Sequence, residues 1–306
     1  MNTSVDRKRI SIFLAFAFGI AWFFGGLLYL LVTRPSGGQA LTPVQQTLSL
    51  IFLTVGYMGA PALANVLTRI ITREGWGNLW LAPRLKQGWV YWVIAWVAPG
   101  LLTLAGVAAF FLLFPRYYDP SMPFVQEQLQ KSGVTLPFST WALFWLQTVQ
   151  AILIAPLINS LFTFGEEFGW RAYLLQKLLP LGKRRALLLL GVIWGIWHAP
   201  IIAQGHNYGT QYPGYPWLGI LAMTIFTIGA GTFLGWATLK AGSVWPAVIG
   251  HAAINGIAGL GIILSTGEPN PVLGPTVAGV VGGAGFLVAG LILLLVPWKV
   301  PLPEES

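Results

Sequence analysis

The chain has 306 residues, of which 56% are hydrophobic and 8% charged, with a mean hydropathy of +0.71. A soluble globular domain, about a quarter of it charged, is excluded. The net charge of +8 does not point to nucleic acid, because the seventeen Lys and Arg cluster between apolar runs, as in the cytoplasmic loops of membrane proteins. Cysteine is absent, which removes disulfides, thiolate metal sites and cysteine nucleophiles.

The N-terminal Asp6-Arg7-Lys8-Arg9 leads into an apolar run from Ile10 to Val32, too long for a signal-peptide core and without a small-residue cleavage pattern, so it reads as a retained first span. A span needs about 20 apolar residues. Eight stretches meet that need, roughly 10–33, 46–70, 88–114, 141–163, 186–203, 217–239, 244–265 and 274–297. Trp89, Trp92, Trp141, Trp217 and Trp298 border several of them, where amphipathic rings favour the headgroup level. The expected fold is one all-α polytopic membrane domain over residues 1–306, with about eight transmembrane helices.

With the N-terminus inside, thirteen Lys and Arg fall on the cytoplasmic side, against Arg34, Arg116 and Lys131 on the other. An even number of spans returns Pro301 to Ser306 to the cytoplasm. The longest loop, Pro115 to Pro137, has room for a short surface helix. The Gly-rich stretch Val280 to Gly285 suits close helix packing rather than phosphate binding. No internal repeat and no matched pair of Gly- or Pro-broken spans points to a transporter site.

Ionisable groups inside a membrane are costly and mark candidate sites. Here they are Glu166, Glu167 and Arg171 in the fourth span, His198 in the fifth, and His251, with the polar Asn255, in the seventh. On a continuous helix Glu167 and Arg171 share a face as an ion pair, while Glu166 points about 100° away and is free to face other spans. Trp194 and His198 are four apart, as are His251 and Asn255. At 1.5 Å per residue His251 lies about 12 Å, and His198 nearer 20 Å, from the cytoplasmic starts of their spans. Glu166 is expected near the cytoplasmic end of its own span, and His206 on the surface of an opposite-side loop.

Such a set suits hydrolysis: a glutamate accepts a proton from water, an imidazole positions that water, and further donors stabilise the oxyanion. Glu166, His198 and His251 also suit a zinc ion with an open position for water. The residues leave both routes open. No helical His-Glu-x-x-His array and no Gly-x-Ser-x-Gly elbow occurs.

Glu166-Glu167-x-x-x-Arg171, Trp194-x-x-x-His198 and His251-x-x-x-Asn255, in this order, resemble the CPBP family, the CAAX prenyl protease and bacteriocin-processing group of intramembrane proteases. Trp194 stands where the family motif has Phe, a mild replacement on sequence grounds. The resemblance runs from about Phe164 to Asn255, within a core at about 141–265. It implies an eight-helix fold around an intramembrane catalytic cavity open toward the cytoplasmic side. It further implies that Glu166 with His198 activates water, that His251 and Asn255 form the oxyanion hole, and that Glu167 and Arg171 support the site. The partners it implies are the bilayer and a membrane-associated polypeptide, prenylated in the CAAX case. The bacterial look implies a plasma membrane location. Zinc is the one candidate cofactor, since the family is described both as metalloproteases and as glutamate proteases. A noncatalytic immunity or binding protein of the same fold is the alternative, with a transporter behind it.

Overall fold

The computed structural model describes residues 4–135 and 137–300, so the expected cytoplasmic tail from Pro301 to Ser306 lies outside the described residues. The chain is helical: α1 (Arg7–Ser36), α2 (Pro43–Thr72), α3 (Leu85–Leu113), α4 (Pro123–Ser132), α5 (Thr140–Leu153), α6 (Ala155–Leu181), α7 (Lys183–Trp197), α8 (Trp217–Ala241), α9 (Trp245–Ile263) and α10 (Ala284–Leu295). Among the described residues no strand forms, and α4 is the short helix expected in the long loop.

Every expected span contains helix, yet among the described residues only α1, α2, α3, α8 and α9 are each long and apolar enough to cross a membrane alone, and α5 with α6, bent by 47°, makes a sixth if the pair is one span. The bend has a local cause. Pro156 has no N–H to offer the carbonyl of Ile152, which instead accepts a hydrogen bond from the Trp96 indole at 2.7 Å. The other two expected spans are shorter than the sequence suggested. Helix α7 stops after 15 residues, about 22 Å, because Pro200 has no N–H to offer the Ile196 carbonyl, and a single helical turn, Ala199–Ile202, follows His198. The Trp197 carbonyl there accepts from Tyr57 Oη at 2.5 Å and Trp22 Nε1 at 3.2 Å. The stretch before Ala284 is non-helical, carrying Pro271, Pro275 and several glycines. Its glycines do serve close packing: a Cβ at Gly106 of α3 would lie 1.8 Å from the Gly282 carbonyl oxygen.

Outward-facing Leu112, Leu161 and Val55 are exposed and suit lipid contact. Inside, α9 packs against α6 and α3, and α7 lies along α8. These five helices bring the polar residues of three spans to one place.

Candidate active site

Helix α6 is let close to α2 by two glycines. A Cβ at Gly165 would lie 2.7 Å from the Met58 carbonyl oxygen, and one at Gly169 would lie 2.4 Å from Pro61 Cβ. Between them sit Glu166 and Glu167, 3% and 0% exposed. Beyond Gly169 the helix widens into a π-turn, Trp170–Leu174, and continues to Leu178. Glu166 is therefore near the middle of its helix, not at the cytoplasmic end that the apolar pattern suggested. That pattern broke at the charged residues, whereas the helix buries them and goes on.

The two glutamates divide as helical geometry requires. Arg171 Nη1 donates to Glu167 Oε1 at 2.8 Å, with both side chains fully buried. His251 Nδ1 donates to the same oxygen, also at 2.8 Å. Glu166 turns the other way: its Oε2 accepts from Trp194 Nε1 at 2.8 Å, and its Oε1 has no hydrogen-bond partner among the described residues. Trp194 is the hub of the arrangement. Its ring lies under the Arg171 guanidinium at 4.3 Å and meets the His251 ring edge-on at 5.2 Å between centroids. Its carbonyl holds His198 Nδ1 at 2.8 Å.

The tautomers follow from the partners. A carbonyl only accepts, so His198 carries its proton on Nδ1 and presents Nε2 as an acceptor. His251 likewise directs Nδ1–H at a carboxylate and leaves Nε2 free. Glu166, His198, His251 and Asn255 all line one cavity of about 340 Å³, while Glu167 and Arg171 stay behind the wall as its support.

Three features were not legible in the sequence. Tyr57 lines the cavity from α2. His206, expected on the surface, is exposed but lines the cavity too, with Asn207 beside it. The signal was the loop length, since only seven residues separate His206 from His198. Trp194 is the third, because its N–H makes a bond to Glu166 that a Phe has no atom to make, so the replacement is more than local packing. The expected metal set fares differently. Among the described residues no group of three His, Cys, Asp or Glu side chains is placed to hold a metal ion. As placed, Glu166, His198 and His251 do not converge as a ligand set.

Residues 140–257 match the family model described as type II CAAX prenyl endopeptidase Rce1-like. A stretch of 95 residues is 33% identical to CAAX prenyl protease 2 of Methanococcus maripaludis, covering 29% of this chain and 34% of that protein. The alignment thus spans about a third of the length of that curated relative. The matched segment carries Glu166, Glu167, Arg171, Trp194, His198, His206, His251 and Asn255, and resembles the Rce1-like family as the three motifs implied.

Proposed function

We propose that this chain, with its Rce1-like core, is an intramembrane endopeptidase that hydrolyses a membrane-associated polypeptide by glutamate-activated water. The observation that carries the reading is the Glu166 carboxylate, held through one oxygen by Trp194 and open through the other, in a cavity shared with His198, His251 and Asn255. Glu166 Oε1 and His198 Nε2 are both acceptors and together orient a water. As the water oxygen attacks the scissile carbonyl, its proton passes to Glu166. The developing oxyanion takes hydrogen bonds from the Asn255 amide and from His251 Nε2–H. For that donation the His251 ring carries both protons, and Glu167 Oε1 is in place to accept from Nδ1. Collapse of the intermediate breaks the C–N bond, and Glu166 returns its proton to the leaving amine.

The thirteen-to-three distribution of Lys and Arg supports cytoplasmic termini, in a bacterial plasma membrane. A permease would need a polar path to both faces. Buried Trp170, Tyr173, Leu174 and Leu175 lie between the site and the basic end of the bundle, and speak against one.

The test is cleavage of two fluorogenic peptides, alike except for C-terminal farnesylation, by the purified full chain. Wild type cleaves and Glu166→Gln does not, at unchanged yield and melting temperature. Equal loss from Glu166→Gln and from the remote Arg34→Gln would overturn the reading. A difference between the two peptides reports on prenyl recognition, and a strong chelator reports on metal.

A further inference from the structure

The cavity has a direction. Its walls rise from Glu166 and His251 to His206 and Asn207 in the loop 203–216, and to Thr276, Val277 and Ala278 in the segment before α10. Exposed Asn255, Gly259 and Ile262, four and three residues apart on α9, continue it sideways. In the opposite direction it is closed. Trp170, Tyr173, Leu174 and Leu175 are fully buried beneath the site. The connection between α2 and α3 is strapped across that end, with Val244 N donating to the Trp80 carbonyl at 2.9 Å and Trp245 Nε1 to the Leu81 carbonyl at 2.7 Å.

The closed end is the basic one. Lys177, Lys183, Arg184 and Arg185 surround the turn between α6 and α7, and Lys240 ends α8. Residues 203–216 and 264–283, which form the rim of the open end, contain no Lys or Arg and one charged residue, Glu268, while Arg34, Arg116 and Lys131 are the three basic residues on that side of the bundle. Position along the helices agrees. His198 directly follows the last residue of α7, fifteen residues or about 22 Å from Lys183.

Basic loops stay in the cytoplasm. We infer that the cavity opens on the noncytoplasmic side, so that the substrate is taken from that face and its bilayer leaflet rather than as a cytoplasmic tail. This rests on the proteolytic reading for the word substrate, but the direction of the opening stands on geometry and charge alone. It reverses the cytoplasmic opening implied by the motif resemblance. The lining holds no Lys or Arg, so it suits an uncharged, apolar segment around the scissile bond.

The chain has no cysteine, which makes it a ready background for single-cysteine probes. His206→Cys marks the cavity mouth and Gln87→Cys, exposed at the start of α3, marks the basic end. In sealed right-side-out vesicles from cells expressing the full chain, a membrane-impermeant maleimide labels His206→Cys and not Gln87→Cys, and inverted vesicles give the reverse. Labelling of His206→Cys from the same side as Gln87→Cys would overturn the inference. Absence of peptide cleavage by wild type in detergent would instead sink the proteolytic reading, with the labelling pattern still deciding the direction.

Discussion

Replacing Trp194 by Phe isolates the bond that holds the candidate base. Phe keeps an aromatic ring over Arg171 and removes the indole N–H that donates to Glu166 Oε2 at 2.8 Å. A hydrogen bond to a charged acceptor is worth about 1.5–3 kcal/mol net. If that bond holds Glu166 in its working position, its loss falls on the chemical step, and at about 1.36 kcal/mol per decade kcat drops roughly ten- to a hundredfold. KM changes little, because Phe still lines the cavity and the free Glu166 oxygen still faces it. The assay is steady-state cleavage of the fluorogenic peptide, with Trp236→Phe as control. Trp236 meets Tyr91 edge-on and lines no part of the cavity. A kcat in Trp194→Phe equal to that of Trp236→Phe would refute the claim that the indole positions Glu166.

Three more outcomes follow from packing and charge. Glu167→Gln leaves the fully buried Arg171 without its counter-charge and costs about 3–5 kcal/mol. Adding Arg171→Met recovers most of this, because Gln still accepts from His251, and thermal unfolding in detergent would show equal losses if the ion pair were immaterial. At Gly169 an alanine Cβ would meet the Pro61 backbone at 2.5 Å. Gly169→Ala therefore costs about 1–3 kcal/mol through overpacking, read as a lower melting temperature, and a wild-type melt would contradict the close contact of α2 and α6.

The last concerns pH. Glu74, between α2 and α3, pairs with Arg9 at 3.3 Å and with Lys177, and accepts from Tyr173 at 2.9 Å. Burial pushes its carboxyl up, but hydrogen bonds from Lys177 and Tyr173 and the nearby charges of Lys177 and Arg69 more than offset this and hold it below its ordinary value. A lowered folded value means stability that is full above the unfolded pKa of about 4.3 and lost as pH falls through the folded one. Wild type should thus be more stable than Glu74→Gln by about 1 kcal/mol at neutral pH, since the ion pairs are partly exposed. The difference should close on acidification below the carboxylate range, and a constant difference down to pH 2 would contradict the assignment.

What the sequence determined by itself is what depends on composition and local period. Apolar runs place the helices, the spacing of Glu167 and Arg171 makes their ion pair, and three polar motifs in order name the candidate site residues, because each of these is a property of one helix. Where the helices end was less legible, since charge inside a span looks like an interface. The run therefore seemed to stop near Glu166, although Arg171 and His251 neutralise and satisfy Glu167 and the helix continues. Tertiary structure alone decided the rest. That the Trp194 indole reaches Glu166, that Tyr57 and His206 join the cavity, and that the cavity closes toward the basic loops all depend on which helix faces meet. Such meetings are set by side-chain packing between elements distant in sequence, for which no local pattern exists.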